Sequence, residues 1–178
     1  MFKNLFKKKQ TPEPDPLSDL TLPKLKTGYL VDYDMKTWQV TGYNTYDWGS
    51  GDMSYEWQLT ASDDVIYLER QVDDEDVWSI TRKISFRDLG PGIAEHIQVH
   101  EDPPEKITYN GKKYYLDSMA GGTFFKDGTE EGYPLLSWDY EDDSEDYLLN
   151  IEQWGENDFA ASVGEYVEEY QFSNILPA

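Results

Sequence analysis

The chain has 178 residues, enough for one domain of ordinary size or for two small units that share a core. Its 36 Asp and Glu against 15 Lys and Arg leave a net charge of −21, which repels phosphate backbones, so direct nucleic-acid binding is not expected. The absence of cysteine removes disulfides, thiolate metal sites and thiol nucleophiles, and the 15% aromatic content favours half-buried strands over helices.

The first ten residues are basic. Phe2, Leu5 and Phe6 fall at helical spacing, and Lys3, Lys7, Lys8 and Lys9 add positive charge, so this segment is a candidate for peripheral contact with an anionic bilayer. At about 1 kcal/mol per lysine the contact would be weak and salt-sensitive, and the alternative is a plain tail. The lysines leave no room for the apolar core of a secretory signal. Phe2 stands where myristoylation needs glycine, and no run of about eighteen apolar residues follows. The expected location is therefore cytoplasmic, free or peripheral at the inner face of the membrane. Pro12, Pro14 and Pro16 alternate with polar residues and favour an extended spacer, so residues 1–23 read as a flexible tail.

Strand patterning begins near Gly28. Leu30, Val31, Tyr33, Trp38, Val40 and Tyr43 flank the polar Asp34-Met35-Lys36, which predicts a hairpin. Further strands are predicted over 55–59, 65–68, 77–86 and 93–99, separated by polar or glycine-rich breaks. Asn110-Gly111 suits a two-residue primed turn and predicts a hairpin over 107–116. Gly121-Gly122 reads as a bulge or tight turn at the end of a strand. Residues 163–170 alone resemble a helix, and their periodicity is too weak to assign one.

A faint duplication runs through these elements. Val31-Asp32-Tyr33-Asp34-Met35-Lys36-Thr37-Trp38 matches Ile107-Thr108-Tyr109-Asn110-Gly111-Lys112-Lys113-Tyr114 in type, turn and aromatic positions. Glu56-Trp57-Gln58-Leu59 matches Ser137-Trp138-Asp139-Tyr140, and Ile66-Tyr67-Leu68-Glu69 matches Leu149-Asn150-Ile151-Glu152, in the same order. The expected fold is mainly β: antiparallel sheets in a sandwich or partly open barrel, with little helix. Two similar β units, 24–100 and 101–178, would share one core.

No catalytic constellation emerges. His96 and His100 fall in the predicted strand over 93–99, where residues four apart lie roughly 13 Å from each other, too far to share a metal. No nucleophile elbow or phosphate loop is present. Asp73-Asp74-Glu75-Asp76 and 141–146 are acidic but lack the glycine and terminal glutamate of a calcium loop, and read as solvated loops. Trp38, Trp57, Trp138 and Trp154 are candidates to line a pocket for a polyamine-like cation, their alternative role being core packing.

Gly28-Tyr29-Leu30-Val31-Asp32-Tyr33, Trp38-Gln39-Val40-Thr41-Gly42 and Tyr55-Glu56-Trp57 resemble the opening of the Domain of Unknown Function family 4178. Ser137-Trp138-Asp139-Tyr140-Glu141, Ile151-Glu152-Gln153-Trp154-Gly155, Gly164-Glu165-Tyr166-Val167 and Phe172-Ser173-Asn174-Ile175-Leu176-Pro177 resemble its closing segment, so the likeness covers about 25–177. The family is bacterial and β-rich, and is often encoded beside envelope-stress components of the phage-shock-protein A type and beside polyamine synthases. The resemblance implies a noncatalytic module that binds a protein partner of a membrane-stress system, with no cofactor and no enzyme activity. The alternative is a binder of a small cation, or a hydrolase that uses carboxylates.

Overall fold

A computed structural model describes residues 20–72 and 74–178, so the membrane-contact candidates Phe2, Lys3, Leu5, Phe6, Lys7, Lys8 and Lys9 lie outside the described residues. Eleven strands follow in chain order: β1 (Leu30–Tyr33), β2 (Lys36–Gly49), β3 (Asp52–Ala61), β4 (Asp64–Val72), β5 (Asp76–Ile84), β6 (Lys106–Tyr109), β7 (Lys112–Phe125), β8 (Gly132–Asp142), β9 (Tyr147–Gly155), β10 (Asp158–Val167) and β11 (Ser173–Leu176). All pairings are antiparallel. The expected turns form as the residues demand: Asp34 and Met35 take φ of 47° and 58°, and Asn110 and Gly111 take 48° and 79°.

The sheet order is β11-β1-β2-β3-β4-β5-β10-β9-β8-β7-β6, and β2 pairs again with β7. That second pairing, Thr45 to Asp47 against Thr123 to Phe125, closes eight strands into a barrel, so of the sandwich or partly open barrel expected from the pattern it is the barrel that forms, and it is closed. Gly122 serves this closure. A Cβ there would come within 2.5 Å of the Trp48 ring, so the glycine, which lies within β7 and is neither a bulge nor a turn, permits the close approach of β2 and β7.

The barrel carries its polar face inward. On β3, Ser54, Glu56 and Gln58 face the lumen while Tyr55, Trp57 and Leu59 face out; on β4, Tyr67, Glu69 and Gln71 face in while Ile66 and Leu68 face out. The outward apolar faces are buried under segments beyond the eight strands. One cluster gathers Trp38, Val40, Trp57, Leu59, Ile66, Leu68, Trp78 and Ile80 beneath Leu22, Leu25, Val31 and Phe172. The other gathers Trp138, Tyr140, Leu149 and Ile151 beneath Leu89, Ile93, Ile97 and Ile107.

Two bulges make this arrangement possible. In β2 the register shifts between Val40 and Gly42: Val40 stands opposite the outward Leu59, and Gly42 opposite the inward Gln58. In β7 the shift falls between Leu116 and Ser118: Leu116 stands opposite the outward Tyr140, and Ser118 opposite the inward Asp139. An extra residue inverts which face an alternating strand presents. The first part of each 14-residue strand therefore pairs with β1 or β6 over an outer apolar cluster, and the second part closes the barrel.

The segment expected as a strand over 93–99 is a helix instead, α1 (Ile93–His100). Ile93 and Ile97, four apart, are buried together in the second cluster, whereas Val99, which made the pattern look alternating, is 74% exposed. Residues 163–167 belong to β10, and a single 3₁₀ turn follows at Glu169–Gln171.

Leu22, within the expected tail, sits in a 3₁₀ turn (Leu22–Lys24) and is 3% exposed, so the packed body starts before Pro23. Leu22→Ala is expected to destabilise the protein by about 2–4 kcal/mol, measured by chemical denaturation. A cost below about 0.5 kcal/mol would show that the turn merely rests on the barrel.

Candidate functional site

The lumen receives side chains from all eight barrel strands. Four carboxylates lie within it, Glu56 from β3, Glu69 from β4, Asp139 from β8 and Glu152 from β9, and a fifth, the exposed Asp117 at the β7 bulge, borders it. None forms an ion pair among the described residues. Their neighbours donate hydrogen bonds instead. Asn44 Nδ2 donates to Glu56 Oε1 at 2.8 Å, Asn150 Nδ2 to Asp139 Oδ1 at 2.8 Å, and Trp154 Nε1 to Glu152 Oε2 at 3.1 Å.

Burial among one another raises the proton affinity of these acids. Glu56 and Glu69 stand directly opposite on adjacent strands, a placement that disfavours two like charges. Burial, then the charges of Glu56 and Asp139, push Glu69 up to about 8. Glu152 is pushed up to about 7, chiefly by burial and then by Glu56, with Lys83 pulling the other way. Glu56 and Asp139 are also raised, burial again being the largest cause. At neutral pH the lumen thus holds protons that a bound cation would displace.

The lumen has two joined chambers. One, the acidic chamber, of about 120 Å³, is lined by Glu69, Asp139 and Asp117 among others; the other, the lysine chamber, of about 340 Å³, by Lys83, Lys126, Tyr67, Phe124 and Trp154. Glu56 and Glu152 line both. Tyr46 also borders both chambers, stacks on Trp48 and packs tilted against Phe124, and Phe124 meets Trp154 edge-on at 5.2 Å.

Of the four tryptophans singled out in the sequence, the structure brings Trp154 to the lumen. Trp38 and Trp57 pack in the first outer cluster and Trp138 in the second. Their indole N–H groups bind the covering segments: Trp38 to the Tyr33 carbonyl, Trp57 to the Leu25 carbonyl, and Trp138 to the Asp102 carboxylate, each at 3.0 Å.

His96 and His100 lie on helix α1, outside the barrel, and the helix corrects the separation expected of a strand: their ring centroids are 4.3 Å apart. Nδ1–H of His96 donates to the Asp102 carbonyl at 2.8 Å. Among the described residues no group of three or more His, Asp or Glu is arranged to hold a metal. The acidic residues of 141–146 form a turn in which Asp142 accepts from Ser144 and from the Tyr147 amide.

The lumen acids themselves carried a signal in the sequence. Glu69 and Glu152 occupy matching places in the two repeated segments, each following a core aliphatic, Leu68 or Ile151.

No solved structure matches the chain. An uncharacterized protein of Aquifex aeolicus (strain VF5) is 27% identical over 175 residues, covering 98% of this chain and 96% of that protein. The family model described as domain of unknown function (DUF4178) matches residues 26–169, so the chain belongs to that family.

Proposed function

We propose that the protein is a binding protein for a small molecule with a cationic nitrogen, and that the barrel lumen is its site. One observation carries this reading: four carboxylates without ion-pair partners converge inside the barrel, where water is restricted and burial costs each of them ionisation. A core built for stability alone would put aliphatic groups there, as small barrels ordinarily do. The aromatic wall of Tyr46, Phe124 and Trp154 suits the alkyl portion of such a ligand and its cationic head.

Primary amines and guanidines, tested by thermal shift at pH 8, should include at least one that raises Tm by several degrees at millimolar concentration. Its affinity should increase from pH 6 to pH 9, because binding must displace the protons held by Glu69 and Glu152. Glu69→Gln and Glu152→Gln should each weaken it at least tenfold. A protein partner from a membrane-stress assembly, the reading that the family resemblance suggests, would meet the outer surface. Partner binding that Glu69→Gln leaves unchanged, with no amine or guanidine bound, would replace the lumen reading with that one.

A further inference from the structure

Charge is sorted along the lumen. Among the residues that line it, the acidic chamber has Glu69, Asp139 and Asp117 without lysine or arginine, whereas Lys83 and Lys126 stand at the lysine chamber. Glu56 and Glu152 mark the passage between the two. We propose that the ligand is a zwitterion, with its cationic nitrogen among Glu69, Asp139 and the passage carboxylates, and its anionic group held between Lys83 and Lys126. This rests on the lumen being the binding site and specifies the chemistry of its occupant.

A second observation locates the cationic end. Ser79 and Thr81, 8% and 9% exposed, line the acidic chamber, Thr81 bordering the lysine chamber as well, and their hydroxyls make no hydrogen bond to protein among the described residues. Both stand on β5 next to β4, with Ser79 directly opposite Glu69, and their oxygens are open to a donor in the lumen. A primary ammonium offers three N–H donors, which a carboxylate and two hydroxyls can accept together. An anionic group could not share that chamber with Glu69 and Asp139.

The lysine chamber has the opposite character. Neither Lys83 nor Lys126 forms an ion pair among the described residues, and Lys83 lies over the Tyr67 ring at 4.8 Å. Two lysines at one mouth of a strongly acidic protein attract an anion where the rest of the surface would repel it. Tyr67, Phe124 and Trp154 supply apolar walls for the chain between the two charges.

The test is calorimetry at pH 8 with ω-amino acids from γ-aminobutyrate to ε-aminocaproate, each beside the alkylamine and the α,ω-diamine of equal chain length. The best ω-amino acid should bind at least tenfold tighter than either counterpart. The Lys83→Gln, Lys126→Gln double variant, with folding checked by its melting temperature, should abolish that advantage, the amino acid then binding no tighter than the alkylamine of equal length. An alkylamine or diamine that binds as tightly as the amino acid would overturn the zwitterion and leave the cation site standing. Failure of every amine to bind, with Glu69→Gln no different from wild type, would overturn both.

Discussion

The ligand-free protein is expected to lose stability as pH rises from about 5 to about 8, by a few kcal/mol, through Glu69 and Glu152. In the unfolded chain both ionise near 4.5; in the folded chain they hold their protons up to about 8 and about 7. Between those limits the unfolded state has released protons that the folded state retains, so each pH unit costs up to about 1.4 kcal/mol per group. The sign is opposite to that of a salt-bridged carboxylate. Asp64, held down to about 2 by Arg82 and Lys36, contributes stability that is lost only in strong acid. The optimum should therefore lie near pH 5.

General repulsion among 36 acidic residues has the same sign, and two measurements separate it from the lumen effect. Added salt screens exposed charges but not buried ones, so the slope should persist at high ionic strength. Glu69→Gln should flatten the slope and make the protein more stable than wild type at pH 8. The groups facing Glu69 are Glu56, Asp139, Gln71 and Ser54, and those facing Glu152 are Glu56, Asp139, Lys83 and Trp154, so the two titrations are coupled. Identical slopes for Glu69→Gln and wild type would refute the buried-acid account.

The sequence carried β1 to β5, the hairpin turned at Asn110-Gly111 and the repeat of aromatic positions, because those are local consequences of β-branched, aromatic and turn residues. It did not carry the direction of the faces. Alternation of Glu56 with Trp57, or Glu69 with Leu68, ordinarily means acid outside and aliphatic inside. Here the apolar faces are buried on the barrel exterior, because the 3₁₀ turn at Leu22–Lys24, strands β1, β6 and β11, and helix α1 lie over them. The inversion depends on single unmatched residues at Thr41 and Asp117, and no local pattern marks either as a bulge. The helix was missed for a related reason. Ile93, Glu95, Ile97 and Val99 alternate like a strand, and only packing of Ile93 with Ile97 under Leu89 selects the helical period.

Gly164→Ala should be the most damaging of the single-atom-scale changes, because the barrel has two seams where its halves meet and Gly164 stands in one of them. Strand β10 pairs with β5 there, Gly164 opposite Thr81 and Glu165 opposite Ile80. A Cβ on Gly164 would lie 1.9 Å from the Ile80 carbonyl oxygen and 2.8 Å from Thr81 Cα. These are backbone atoms and cannot rotate away, so the strands must separate. Separation would break ladder hydrogen bonds beside Ser79 and Thr81 and widen the lumen at its hydroxyl wall. The expected loss is at least about 3 kcal/mol, at the upper end of overpacking costs, and insoluble expression would be a severe form of the same result. Gly155→Ala is the control. Its Cβ would meet only Asp158 Cβ, at 3.8 Å, an ordinary contact, and should change stability by less than about 0.5 kcal/mol. If both variants unfold at the same denaturant concentration as wild type, β5 and β10 are not in tight contact, and the lumen drawn between them would have to be wider than described.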